Sequence, residues 1–142
     1  MTIAAILQGK GHDAITVGAD MSVADAARIL ADKRIGAMPV IEDDRVVGIF
    51  SERDILYCLA KEGATALDRR VGELMTVPAI TVDPDTAILA ALSLMTQRRV
   101  RHLPVLAGER LVGVVSIGDL VKHRIERIEA EANAMRSYIQ NA

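Results

Sequence analysis

The chain repeats itself, and this repeat constrains the fold more than any other feature of the sequence. Residues 15–56 align with residues 80–121 without a gap. Ile15-Thr16-Val17 meets Ile80-Thr81-Val82, and Arg45-Val46-Val47-Gly48 meets Arg110-Leu111-Val112-Gly113. A register held over this length indicates a duplicated structural unit.

Each copy predicts the same order of elements, βαββα. A short β-branched strand leads through a turn into an amphipathic helix, and a hairpin and a closing helix follow. The proline near the start of the second strand favours a strand's first residue or a sheet edge. The predicted strands are 15–17, 38–41 and 46–50 in the first copy, and 80–82, 103–106 and 111–115 in the second.

A single unit of this size would bury too little apolar surface to be stable alone, so the two units are expected to pack together. The predicted fold is mixed α/β (α+β), with the tandem units related by an approximate two-fold axis and two equivalent clefts between them. The predicted division is an N-terminal helix and lead-in (1–14), repeat 1 (15–62), a linker helix (63–79), repeat 2 (80–124) and a C-terminal helical extension (125–142).

A Ser-x-x-Asp motif ends the third strand of each copy, with Ser51 and Asp54 in the first and Ser116 and Asp119 in the second. This motif is a helix capping signature, and capping explains each residue alone as well as ligand binding does. Placement at a helix N-terminus beside the cleft favours binding, because free amides and the helix dipole attract phosphate there. A carboxylate can accept from both hydroxyls of a ribose diol, and a serine hydroxyl can donate to a phosphate oxygen.

The tandem units resemble a cystathionine-beta-synthase (CBS) domain pair, also called a Bateman module. The resemblance rests on Gly48-Ile49-Phe50-Ser51-Glu52-Arg53-Asp54, its counterpart Gly113-Val114-Val115-Ser116-Ile117-Gly118-Asp119, the h-x-h-Pro-Val strands and the lead-in Val71-Gly72-Glu73-Leu74-Met75-Thr76. It covers residues 6–128. It implies that the clefts bind AMP, ADP, ATP, NAD(H) or S-adenosylmethionine, usually to regulate a partner protein.

The resemblance also implies roles for individual residues. Asp54 and Asp119 match residues that hold ribose, and Ser51 and Ser116 match residues near phosphate. Met38 and Leu103, just before the prolines, are expected to place an apolar side chain and strand-edge backbone groups against adenine. The remaining expected ligand-binding residues are Thr16, Val17, Pro39, Arg53, Thr81, Val82 and Pro104; for Val17 and Val82 a plain core position is an equally good interpretation.

The two copies differ where phosphate would lie. Arg101 and His102 precede the second proline strand, whereas the first copy has Gly36 and Ala37 there. We therefore expect the clefts to differ in charge. The hypothesis is that Arg101 and His102 contact phosphate at the Asp119 cleft; solvated surface charge is the rival interpretation.

Several classes of function are disfavoured by the sequence. A net charge of −2 and an aromatic content of 2% argue against a broad surface for nucleic acid or anionic lipid. Neither a phosphate-binding loop, nor metal-ligand spacing among the histidines and Cys58, nor a nucleophile elbow is present. We expect no catalytic residues, no catalytic cofactor and no metal, and hence no enzyme activity.

The N-terminal residues do not have the pattern of a signal peptide, and no apolar run reaches the roughly 20 residues that span a bilayer. The single cysteine, Cys58, lies in an apolar stretch, which favours a buried structural thiol. A cytoplasmic location is the expectation.

The C-terminal helix carries apolar residues at heptad spacing. These are Val121, Ile125, Ile128, Ala132, Met135 and Ile139. This apolar seam needs a partner, and we expect a homodimer in which the helix and residues 3–7 clasp the second chain; folding onto its own pair is the alternative. The expected function is a nucleotide sensor acting on an unidentified partner protein, and the alternative is a structural dimerisation adaptor with vestigial clefts.

Overall fold

The structure, a computed structural model, describes residues 1–141, so the final residue of the predicted extension 125–142 lies outside the described residues. Its elements are α1 (Ile3–Lys10), β1 (Val17–Gly18), α2 (Val23–Lys33), β2 (Ala37–Glu42), β3 (Arg45–Ser51), α3 (Glu52–Glu62), a 3-10 helix (Gly63–Asp68), α4 (Val71–Leu74), α5 (Ile88–Arg98), β4 (His102–Ala107), β5 (Arg110–Ser116) and α6 (Ile117–Gln140). The predicted mixed α/β class with a long C-terminal helix is confirmed.

The two sheets differ at their first strand. In the first copy β1 pairs in parallel with β2, which pairs antiparallel with β3. In the second copy only β4 and β5 form a sheet, and Val82 makes an isolated parallel bridge to Val105. The predicted strand 80–82 is shortened because Asp83 enters a local turn, in which its carboxylate accepts from the Asp85 amide at 2.9 Å.

Pro39 does not lie where its sequence context predicts. It is the third residue of β2, the central strand of its sheet, so the predicted edge or first position is wrong. The proline is tolerated because the pairing with β1 begins only at Val40. In the second copy Pro104 contributes its carbonyl oxygen, which accepts from the Val82 amide at 3.1 Å.

Each copy has its own hydrophobic core, and a short helix from outside the βαββα unit completes it. Val71 of α4 is fully buried in the first core, and Ile3 of α1 is fully buried in the second. The amide of Val71 donates to Met21 O, and the amide of Ile3 donates to Thr86 O, each at 2.9 Å. Since Met21 and Thr86 occupy the same repeat position, α1 and α4 are equivalent lead-in helices.

The helices α2 and α5 end in the same unusual conformation. Their C-terminal caps, Arg34 and Arg99, have φ values of 53° and 55° and lie in the left-handed region. Glycine adopts this conformation most readily, so arginine in both copies is a costly choice for the backbone.

The helix α6 leaves the second unit after its first turns. Leu120 is its one buried residue among those the structure describes, whereas Val121, Ile125 and Ile128 are each 42–50% exposed. Met135 and Ile139, further along the predicted seam, are 60% and 65% exposed. The apolar seam therefore faces solvent in the single chain. Within residues 1–141 no helix combines the length and hydrophobicity that membrane crossing requires.

Candidate functional site

Both Ser-x-x-Asp motifs form capping boxes. The Ser51 amide donates to Asp54 Oδ2 at 2.9 Å, and the Asp54 amide donates back to Ser51 Oγ at 3.3 Å. In the second copy the same two bonds measure 2.8 Å and 3.1 Å between Ser116 and Asp119. The capping interpretation is therefore confirmed, and any ligand role has to be carried by what lies beside each carboxylate.

A cavity of about 340 Å³ lies beside Asp54. This is within the size range of small-molecule sites. The second Asp54 oxygen, Oδ1, accepts from Thr76 Oγ1 at 3.0 Å. The cavity is lined by Gly36, Ala37, Ile49, Ser51, Glu52, Arg53, Asp54, Tyr57, Thr76, Pro78, Ile80, Arg98, Arg99, Val100, Arg101 and His102.

The wall of this cavity combines three kinds of surface. Apolar side chains are supplied by Ile49, Pro78, Ile80 and Val100. Hydroxyl and carboxylate groups stand at the start of α3. Cationic or protonatable groups are contributed by Arg53, Arg98, Arg99, Arg101 and His102, against the two acids Glu52 and Asp54. An excess of positive charge beside a carboxylate and an apolar patch suits a ligand that has an apolar ring, a diol and a negative charge.

The structure places Arg101 and His102 on the cavity beside Asp54. This position differs from the hypothesis, which places them at the Asp119 cleft, and it means that the second copy supplies the phosphate candidates of the first cleft. The His102 ring lies over Gly36, where an added Cβ would come within 3.1 Å of Cε1. Burial lowers the pKa of His102 below its ordinary value, and the nearby Lys10 ammonium lowers it further.

The Asp119 carboxylate has a different neighbour. Lys10 Nζ, at the end of α1, forms an ion pair with Asp119 Oδ2 and donates to Val114 O at 2.8 Å. Burial alone would raise the pKa of Asp119, but hydrogen bonds from Lys10 and from the Ser116 amide outweigh it and lower the pKa. Asp119 lines neither the cavity beside Asp54 nor a second, more open groove of about 720 Å³.

That groove runs along the outer side of the second unit. It is lined by Thr81, Val82, Asp83, Thr86, Ala90, Ser93, Leu94, Gln97, Leu106 and Gly108. Two expected site residues, Thr81 and Val82, therefore lie on a surface separate from both Ser-x-x-Asp carboxylates.

Several expected ligand contacts lie in the cores instead. The side chains of Met38 and Leu103 are fully buried in the two cores, and neither residue lines the cavity beside Asp54. The expected contact of their side chains and strand-edge backbone groups with adenine stays a prediction. Val17 and Val82 are core residues as well, as their alternative interpretation held. Pro39 and Pro104 are buried, and Thr16 is exposed but lines neither cavity.

Sequence reasoning missed the partners of the two carboxylates, Thr76 and Lys10. One feature of the sequence could have revealed them: Val71-Gly72-Glu73-Leu74-Met75 is similar to Ile3-Ala4-Ala5-Ile6-Leu7. These two lead-in segments align with each other at a different offset from the one that aligns the rest of the repeat. It also missed Arg98 and Arg99 at the end of α5. Cys58 was expected to be buried but is half-exposed, since α3 has no buried residue, and its thiol donates to Glu62 Oε2 at 3.4 Å.

Residues 1–141 contain no cluster of three or more His, Cys, Asp or Glu side chains arranged to hold a metal ion. The candidate site is the cavity beside Asp54, which is lined by residues of β2, β3, α3, the segment 76–80, the end of α5 and the segment that leads into β4.

Comparison with known proteins matches both copies to one family. A family model described as "CBS domain" matches residues 11–61 and 71–126. A curated relative, the "CBS domain-containing protein CBSX3, mitochondrial" of Arabidopsis thaliana, is 34% identical over 148 residues, covering 98% of this chain and 72% of the relative.

Solved structures give the same result. The CBS-domain containing protein ATU1752 from Agrobacterium tumefaciens superposes with a TM-score of 0.85 at 38% identity, covering 87% of this chain and 99% of the other. The CBS domain pair of protein MJ0100, in complex with 5′-methylthioadenosine and S-adenosyl-L-methionine, has a TM-score of 0.79 at 25% identity, covering 89% of this chain and 98% of the other.

Proposed function

The chain belongs to the CBS domain family, and on that premise we propose that it is a regulatory module which binds an adenine nucleotide beside Asp54 and signals to a partner protein. One observation carries the proposal: a carboxylate at a helix start opens onto a cavity whose wall also holds an apolar patch and an excess of arginine. Family membership supports a ligand-binding, regulatory role rather than a catalytic one.

The residues of the cavity wall support separate contacts with the ribose, the base and the phosphate of a nucleotide. Asp54 Oδ1, which accepts only from a neutral hydroxyl, would take a ribose hydroxyl. Ile80 and Val100 would contact the base, and Arg53 and Arg101 would hold phosphate through charge-assisted hydrogen bonds. AMP, ADP, ATP and NAD(H) all fit this pattern.

The arginine charges of the cavity wall also predict the relative affinities of the candidate ligands. A solved relative, MJ0100, binds S-adenosyl-L-methionine and 5′-methylthioadenosine, neither of which carries a phosphate. In this chain four arginines line the cavity, and an arginine wall repels a sulfonium cation and attracts a phosphate. We therefore rank S-adenosylmethionine below the phosphorylated ligands.

Calorimetric titration tests the proposal. AMP, ADP, ATP, NAD, NADH and S-adenosylmethionine are titrated into the wild-type chain and into Asp54→Ala. A charge-assisted hydrogen bond contributes about 1.5–3 kcal/mol, so Asp54→Ala should weaken the best ligand about ten-fold or more.

The matched control is Asp119→Ala, because it removes the same kind of capping box from the other copy. It should leave affinity at the first cleft within about two-fold, well below the effect expected for a lost ligand contact. Equal losses in both variants would mean that Asp54 acts only as a helix cap. Absence of binding by all six ligands would remove the function altogether.

A second candidate function, a dimerisation adaptor, is favoured by the exposed apolar seam of α6. Its heptad spacing fits the same face of a second copy, so a homodimer joined along α6 is proposed for either function. Light scattering of the wild type and of Ile125→Glu/Ile128→Glu tests it. A dimer that becomes a monomer in the variant supports the seam, and a wild-type monomer at micromolar concentration contradicts it.

A further inference from the structure

The geometry points to Lys10 as the residue that makes the two clefts unequal. Its ammonium holds the Asp119 carboxylate, so the chain binds one nucleotide, beside Asp54, and a second site beside Asp119 opens only when Lys10 is withdrawn. This inference rests on the proposed nucleotide-binding function, and its test separates the two.

The two carboxylates differ in whether a cation already neutralises their charge. Asp119 Oδ2 accepts from the Ser116 amide at 2.8 Å and also from Lys10 Nζ, so its charge is paired with an ammonium. The hydrogen-bond donors to Asp54 are the amide and hydroxyl of Ser51 and the hydroxyl of Thr76, none of which is charged. A diol therefore gains less from the Asp119 carboxylate, whose negative charge the ammonium already offsets.

Lys10 is held in place by a helix, α1, that is packed tightly into the second core. Ile3, Ile6 and Leu7 of α1 are at most 6% exposed in the second core. Leu7 packs so closely on β5 that a Cβ added at Gly113 would lie 2.7 Å from Leu7 Cδ2. Lys10 is the last residue of α1 and follows Leu7 by less than one helical turn, and its ammonium also donates to Val114 O in β5 at 2.8 Å. The lysine is therefore tied to its position at both its backbone and its ammonium.

The equivalent helix that packs on the first copy, α4, takes another course. Met75 occupies the place of Leu7, because a Cβ at Gly48 would lie 2.7 Å from Met75 Sδ. Since α4 has four residues against eight in α1, the chain turns away after Met75. Thr76 then pairs with Ile49 of β3 through two backbone hydrogen bonds of 2.8 Å and 3.0 Å. The hydroxyl of Thr76 reaches Asp54 from there, and the cavity stays open.

Lys10 also acts on the first cleft from a distance. Its charge is one cause of the lowered pKa of His102, which lines the cavity beside Asp54.

Calorimetric titration with ATP tests the inference through stoichiometry. The wild type should bind one ATP per chain, and Lys10→Met should bind two. The second ATP should be lost in Lys10→Met/Asp119→Ala, which places the new site at Asp119. Lys10→Arg preserves a cation and should bind one, and Lys33→Met, a change at an exposed lysine at the end of α2, should bind one as well.

Every outcome of these titrations either supports or contradicts the role of Lys10. Two ATP per wild-type chain, or one ATP in both the wild type and Lys10→Met, overturns the role of Lys10. A weaker affinity at a single site in Lys10→Met also overturns it, because Lys10 would then be a phosphate contact. If the wild type binds none and Lys10→Met binds one that requires Asp119, this inference stands and the function proposed for the Asp54 cleft fails. Absence of binding in every variant contradicts both.

Discussion

The Asp54 and Asp119 ends of the molecule are built from the same parts and differ in one neighbour. Both carboxylates close a capping box at the start of a helix, and in both copies a strand glycine leaves room for a side chain from the lead-in segment packed on it. At Asp54 the added neighbour is the hydroxyl of Thr76, and at Asp119 it is the ammonium of Lys10. A duplicated unit can thus acquire two different chemistries through the segments outside it that pack on each copy.

The largest expected effect tests the anchoring of the two lead-ins. Leu7→Ala should lower the free energy of unfolding by about 2–5 kcal/mol, because Leu7 is 1% exposed and its loss leaves a cavity. Met75→Ala should cost less, since Met75 is only half-buried. Urea denaturation of the two variants gives the comparison. Equal costs would mean that α1 is no better anchored than α4.

The two strand glycines sharpen the same comparison. Gly48→Ala should cost about 1–3 kcal/mol of stability, the range for overpacking, because its Cβ would also lie 3.0 Å from the backbone oxygen of Thr76. Gly113→Ala should cost less, because its nearest neighbours are the methyl groups of Leu7, which can shift. Chemical denaturation measures both. A larger loss in Gly113→Ala would contradict this ranking.

The Thr76–Asp54 hydrogen bond and the Lys10–Asp119 ion pair should contribute to stability with different dependence on salt. Thr76→Val should cost about 0.5–1.5 kcal/mol, because its hydrogen bond to the Asp54 carboxylate is exposed to solvent, and the cost should depend little on ionic strength, because the hydroxyl carries no charge. Lys10→Met should cost about 0.2–1 kcal/mol, because the ion pair is partly exposed. This cost should shrink as sodium chloride rises from 0.05 M to about 1 M, where the Debye length is only about 3 Å. A salt-independent effect of Lys10→Met would argue against the ion pair.

The smallest expected effect concerns pH. Position 102 is histidine where the first copy has Ala37, so His102→Ala makes the copies alike. The folded-state pKa of His102 is lowered by burial, and the unfolded chain therefore binds more protons as pH falls below about 6.5. The wild type should lose stability from pH 7.5 to 5.5, and His102→Ala should lose less. His123→Ala is the control, and an equal pH response in wild type and His102→Ala would contradict the prediction.

The duplication explains why so much of the fold could be predicted. The sequence pattern of each hairpin and each closing helix occurs in both copies, so a prediction made for one copy is supported by the other. The helix caps at Ser51 and Ser116 could be predicted because a capping box depends only on residues close together in sequence. The shortened strand at Val82 was not predictable from alternation, because the side chain of Asp83 competes for the backbone.

The site was harder to predict because its contacts are long-range. A run of apolar residues such as Met38-Pro39-Val40 does not reveal which side chains face the core, so Met38 was placed at the ligand. The pairing of Lys10 with Asp119 joins residues far apart in sequence, and it depends on the length of α1. The orientation of Arg101 and His102 depends on how the two sheets face each other, which no local pattern records.

The left-handed arginines at the ends of α2 and α5 carry a consequence for protein engineering. Replacing either by glycine would relieve a backbone cost of about 1–2 kcal/mol. At Arg34 this gain in stability would remove no residue from the cavity wall, because Arg34 does not line the cavity. At Arg99 it would remove a cation from the wall beside Asp54. Thermostability and the affinity proposed for phosphate would therefore conflict at one of two symmetry-matched positions, and selection for heat resistance alone would remove an arginine from the proposed ligand site.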